Sequence, residues 1–159
     1  MSRIWMMAVA ACLLSMAAVA DDTEQGAALE FDDVWVRAMP PFQPNSAGYL
    51  TITNRGDVAV AIVSASSNVA DSVELHTTRK VDGLVRMEKL QGLAIAPGER
   101  VELSPGGKHL MLLGLAFRLV PGDDVEICLQ LVTEEEVCTD AEVRMSDDAS
   151  GDQAHQNHH

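Results

Sequence analysis

The chain has 159 residues, 22% of them charged, and a formal net charge of −13 at pH 7. So acidic a protein repels phosphate backbones and anionic headgroups, which argues against nucleic-acid partners and charge-driven lipid binding. The length fits one domain with an ordinary core.

Met1-Ser2-Arg3 precedes an apolar run from Ile4 to Ala20 that ends in Ala18-Val19-Ala20. A charged start, an apolar stretch and a small-x-small end read as a secretory signal peptide over 1–20, cut after Ala20. The run is short for a span and lacks a positive stop-transfer flank, so no membrane insertion is expected after cleavage. Val9-Ala10-Ala11-Cys12 faintly resembles a lipoprotein box, but the apolar run continues well past Cys12, which makes lipidation the minor reading. Cleavage leaves 139 residues (159 less 20), and losing Arg3 moves the net charge from −13 to −14. Cys12 leaves with the leader, so Cys128 and Cys138 remain, an even count in an exported chain.

Residues 21–28 are polar and linker-like. From Leu29 no long amphipathic helix is found. Short Val/Ile/Leu/Thr runs alternate with Gly, Pro, Asn and Asp clusters, the pattern of an antiparallel all-β sandwich or barrel. Strands are expected at 33–38, 47–53 and 58–65, with a Pro-rich loop from Met39 to Pro44 after the first. Asn54-Arg55-Gly56-Asp57 and Ser66-Ser67-Asn68 close the second and third.

Residues 72–81 and 84–90 flank Asp82-Gly83, a strong two-residue hairpin signal. That turn sets Thr78 opposite Met87 and His76 opposite Lys89. By the period of two, His76 and Met87 then share a face as diagonal neighbours about 7–8 Å apart. Further strands are expected at 100–103 and 109–113. On the latter His109 and Met111 are i and i+2, hence on one face, with Leu110 and Leu112 turned to the core. The last hairpin folds about Thr133, which sets Leu129 opposite Val137 on the core side and Cys128 opposite Cys138 on the other. A cross-strand disulfide is sterically reasonable there. Residues 145–159 lack apolar periodicity and read as a solvated tail holding His155, His158 and His159.

The body between leader and tail therefore has two His, each with a Met on its predicted face. Imidazole plus thioether is a soft ligand set that suits Cu(I). Thioethers bind no proton, so acid competes only through the imidazoles. A blue-copper centre needs a Cys thiolate beside two His, and these two Cys have no His nearby. His-Glu-x-x-His, Gly-x-Ser-x-Gly, P-loop and dinucleotide motifs are absent, and the acids show no catalytic pairing, so no enzyme is expected. The tail His offer a weak second site better suited to Cu(II), or are simply a hydrophilic end. On these grounds alone three readings stand: a soft-metal carrier, a small copper redox protein, and a secreted β-sandwich interaction module whose His and Met merely pack.

The spacing His76-x10-Met87-x21-His109-x-Met111 resembles the signature of periplasmic PCu(A)C copper chaperones. So do Trp35-Val36-Arg37, Ala47-Gly48-Tyr49-Leu50-Thr51-Ile52, Val73-Glu74-Leu75-His76 and Gly106-Gly107-Lys108-His109-Leu110-Met111-Leu112. The likeness covers residues 29 to 143. It implies a cupredoxin-like Greek-key barrel over 29–144 that binds one Cu(I) through His76, Met87, His109 and Met111. It also implies copper delivery in the periplasm, to the CuA centre of cytochrome c oxidase subunit II or another copper client or chaperone, with storage or detoxification as the variant reading. The family often places a Met directly after the first His, where this chain has Thr77. Some members carry a C-terminal extension that takes Cu(II). The Cys128/Cys138 pair is not part of the family pattern.

Overall fold

The computed structural model describes residues 28–145. The expected leader and nearly all of the His-containing tail lie outside the described residues.

Ten strands make up the described chain: β1 Leu29–Arg37, β2 Asn45–Asn54, β3 Val60–Ser67, β4 Ala70–Val81, β5 Leu84–Lys89, β6 Leu93–Ile95, β7 Arg100–Leu103, β8 Lys108–Leu115, β9 Asp124–Leu131 and β10 Glu136–Arg144. No helix occurs among the described residues. The pairing runs β5-β4-β8-β2-β1-β10-β9-β3-β6, and a further β3–β4 pairing joins its ends into a closed barrel of seven strands, from β4 to β3. Strands β5, β6 and β7 attach to β4, β3 and β2 outside that ring. Closure removes most free edges, which leaves β5 as an open flank beside β4.

Alternation builds the core. Leu50, Ile52, Leu110, Leu112, Ile127, Leu129 and Val143 are each at most 2% exposed and belong to one cluster. Burying a side chain of this size contributes roughly 1.5–3 kcal/mol. Asn54 ends β2 inside this core. Its amide donates to Val58 O (2.8 Å) and Ile95 O (3.1 Å), and its Oδ1 accepts from Gly56 N (3.0 Å). These bonds satisfy a fully buried polar side chain and pin the turn expected at this point.

Most expected strands are present, with three differences. The first begins at Leu29, because a bulge at Asp33 (φ 46°) lets both halves of β1 pair with β2. The third runs from Val60 rather than from Val58, whose side chain stays 67% exposed beyond the turn that Asn54 holds. Strand β6 was not expected. It pairs with β3, and Gly92 sits where a Cβ would meet Ile62 O at 2.8 Å.

The expected registers hold in both hairpins. Thr78 pairs with Met87 and His76 with Lys89 around Asp82 (φ 52°) and Gly83 (φ 79°), the two left-handed residues that a type I′ turn needs. Cys128 pairs with Cys138, and the two form a disulfide across β9 and β10. Closing a loop of 10 residues' separation contributes about 3 kcal/mol in the chain-entropy model. The double substitution Cys128→Ser/Cys138→Ser is expected to cost about 2–3 kcal/mol in urea unfolding, with the far-ultraviolet spectrum unchanged.

Candidate metal centre

Barrel closure brings together what the hairpins present separately. Strand β4 pairs antiparallel with β8, so His76 stands directly opposite His109 and Glu74 opposite Met111. Met87 lies on β5, across the other edge of β4, opposite Thr78. His76, Met87, His109 and Met111 thus occupy one face of three adjacent strands. The two imidazole rings are 6.1 Å apart between centroids.

This is the outward face of the sheet. The intervening residues Val73, Leu75, Thr77, Leu110 and Leu112 turn inward and are buried or partly buried. Met87 is 54% exposed and Met111 half-buried. Met87, His109 and Met111 line an open depression of about 350 Å³, together with Met39 of the Pro-rich loop, Arg37 and Tyr49. His76 is not among its lining residues.

Each imidazole has one ring nitrogen engaged. His109 Nδ1 lies 3.0 Å from Gly107 O, and a carbonyl only accepts, so this nitrogen carries the proton. Nε2 of His109 is then the lone-pair nitrogen. His76 Nε2 lies 2.8 Å from Glu74 Oε2, whose other oxygen accepts from Lys89 Nζ at 2.6 Å. When the Nε2–H of the neutral ring donates to the Glu74 carboxylate, the His76 lone pair is on Nδ1. That atom is buried and has no hydrogen-bond partner. A buried acceptor without a donor is costly, and a soft cation would satisfy it. Lys89, and after it His76, hold the Glu74 carboxyl below the ordinary carboxylate range, so Glu74 is an anion that anchors this ring.

Aromatic packing flanks His109 on the same outward face. Its ring lies 6.4 Å from that of Tyr49, which sits 4.4 Å from Trp35. Arg37 covers the Tyr49 ring at 5.3 Å. Trp35, Tyr49 and His109 are each at most 5% exposed. Burial and the Arg37 cation act oppositely on the Tyr49 phenol, and burial wins by raising its pKa.

Glu74, Lys89, Tyr49, Trp35, Arg37 and Met39 were not among the expected site residues. Glu74 was within reach of the period-two rule, two places before His76, and Lys89 was already assigned opposite it. The aromatic pair comes from β1 and β2, and no local signal reveals that β2 pairs with β8 and β1 with β2. Cys128 and Cys138 lie elsewhere, on β9 and β10, and their sulfurs are bonded to each other, which removes them from any ligand set. His155, His158 and His159 fall outside the described residues.

A family model described as LpqE-like matches residues 29–143. The chain belongs to the LpqE-like family. A curated relative from Leifsonia xyli subsp. xyli, named "Putative lipoprotein Lxx21020", is 30% identical over 108 residues, 67% of this chain and 64% of the relative. The chain therefore spans less than two thirds of that relative's length. Among solved structures, the apo PCuAC domain from PmoF1 superposes with a TM-score of 0.62 at 25% identity, over 74% of this chain and 94% of that one. Apo-DR1885 from Deinococcus radiodurans gives 0.59 at 27% identity, over 91% of this chain and 97% of that one. Its CuI form gives 0.60, over 80% of this chain and 84% of that one. The all-β, cupredoxin-like barrel and the PCu(A)C resemblance read from the sequence are therefore both found.

The two imidazoles are expected to be opposite tautomers. Long-range ¹H–¹⁵N correlation spectra above pH 8 should show His109 protonated at Nδ1 and His76 at Nε2. Glu74→Ala should broaden or shift the His76 pattern and leave His109 unchanged. Two identical tautomers in the parent protein would contradict the arrangement.

Proposed function

We propose that this protein is a Cu(I)-binding metallochaperone, with His76, Met87, His109 and Met111 as the ligands of one ion. The observation that carries the proposal is the exposure of the Met87 thioether. A module in which these residues merely packed would bury Met87 and Met111. Instead Met87 is 54% exposed beside a buried, partnerless His76 Nδ1. Neutral sulfur and imidazole nitrogen suit Cu(I) over Zn(II) or Cu(II). The solved relative with CuI in its name supports the same cargo.

The geometry suits transfer rather than catalysis. The exposed Met87 thioether and then the half-buried Met111 thioether can be replaced by the ligands of an acceptor, while the two imidazoles stay braced by Gly107 O and Glu74. The lone thiol chemistry of the domain is spent in the Cys128–Cys138 disulfide, so an oxidising compartment leaves the ligand set intact. The relative carrying a lipoprotein name and the leader read in residues 1–20 both fit an extracytoplasmic, periplasmic setting. Among the described residues no helix is long and apolar enough to cross a membrane. The client we favour is the CuA site of cytochrome c oxidase subunit II, from the family resemblance. We assign His155, His158 and His159 to a secondary Cu(II) site separate from the barrel.

Met87→Ala and Met111→Ala are each expected to weaken Cu(I) binding at least tenfold in competition with a Cu(I) chelator, with unchanged unfolding midpoints. Unchanged affinity in both would rule out this ligand set. A chain ending at Met145 should still take up one equivalent of Cu(I) and lose Cu(II) uptake. Retained Cu(II) uptake would remove the tail assignment.

A further inference from the structure

The cations of this acidic protein are unevenly placed. Residues 79–89, the outer half of the β4–β5 hairpin, hold Arg79, Lys80, Arg86 and Lys89, four of the ten Lys and Arg among the described residues. They hold only Asp82 and Glu88 of the 18 Asp and Glu. This segment is therefore net positive on a net negative body. Lys108 adds to it, since it pairs with Thr77 at the base of the hairpin, where Thr78 N donates to Gly107 O.

Lys89 is paired with Glu74, and Arg79 lies 3.6 Å from Glu88. Lys80, Arg86 and Lys108 are exposed and make no ion pair among the described residues. All six residues of β5 are exposed, on an open flank of the sheet, and one of them is Met87. The hairpin tip lies roughly 20 Å along the strand from His76, at about 3.3 Å per residue. Screening acts over about 8 Å at physiological ionic strength, so a partner touching this ribbon feels its cations more than the acids of the barrel.

We infer that the β4–β5 ribbon is a docking arm for a protein whose surface is acidic around its metal-receiving site. The inference rests on the Cu(I) reading above and names the kind of partner that reading requires. The arm holds Met87, so an acidic partner drawn to Lys80, Arg86 and Lys108 arrives at the exposed thioether first. Transfer is ligand exchange without electron transfer. The Cu(I)–S bond to Met87 breaks as a bond to an acceptor thiolate forms, and the proton of that thiol goes to solvent. Opposite charge raises the encounter rate, not the affinity of the site itself.

The test uses the Cu(I)-loaded full chain and two synthetic acceptor peptides with the same Cys-x-x-Cys dithiol, one flanked by Glu and one by Lys. Copper transfer is followed by stopped flow across a salt series. The Glu-flanked peptide should receive Cu(I) at least tenfold faster at about 20 mM salt, with the difference collapsing to within about twofold near 0.5 M. The triple variant K80E/R86E/K108E should reverse the preference while binding one Cu(I) with parental affinity. Equal rates for the two peptides, or a faster Lys-flanked peptide, in a parent protein holding one Cu(I) would overturn the docking arm and leave the copper reading standing. A parent that holds no Cu(I) removes both. Sedimentation with phosphatidylglycerol vesicles forms the last arm. Binding that the triple variant abolishes, with no peptide preference, would assign the ribbon to a membrane surface and overturn the protein partner.

Discussion

The site depends on one register, the antiparallel pairing of β4 with β8 that sets His76 against His109. A slip of one residue would turn every side chain of either strand to the other face. The imidazoles would enter the core, and Leu75 or Leu110 would meet water. The register is therefore enforced by the same burial that makes the core. Leu110 and Leu112 on β8, at 1% and 0% exposure, hold His109 and Met111 outward as a consequence of their own position. The functional face needs no separate device to orient it.

Around that register the polar contacts divide the work. Gly107 O accepts the N–H of one ring and the Glu74 carboxylate that of the other, which leaves two lone-pair nitrogens on adjacent strands. Tyr49, itself packed on Trp35, flanks the His109 ring on the same outward face. Met87, by contrast, stands exposed on a strand with no neighbour on its far side among the described residues. Braced imidazoles beside one exposed and one half-buried sulfur are what the proposed ligand set would need to hold a soft cation and still release it.

The charge pattern follows the same division. Of the 18 acids among the described residues, only Asp82 and Glu88 lie on the outer half of the hairpin that carries Met87. A basic arm on an acidic body is a directional field. In the docking arm inferred above, that field would order an approaching partner before any ligand changes hands.

Much was legible in the residues because it is local. Asp82-Gly83 determines the turn, and the turn determines which residues face each other, so the Thr78–Met87 and His76–Lys89 pairs follow from the chain alone. The same holds for Cys128 against Cys138, ten residues apart around a tight turn. The period of two placed His109 and Met111 on one face. The chain by itself thus determined two half-sites, each on its own element, together with the soft chemistry of their ligands. Tertiary structure alone decided that β4 lies beside β8, and that β2 and β1 follow, because non-local strand pairing carries no local signature and is chosen by which closure buries the whole apolar set. That closure joined the half-sites, and it recruited Tyr49, Trp35 and Arg37 from strands distant in sequence. It also left Met87 in solvent, on the one element of the site that the barrel does not enclose.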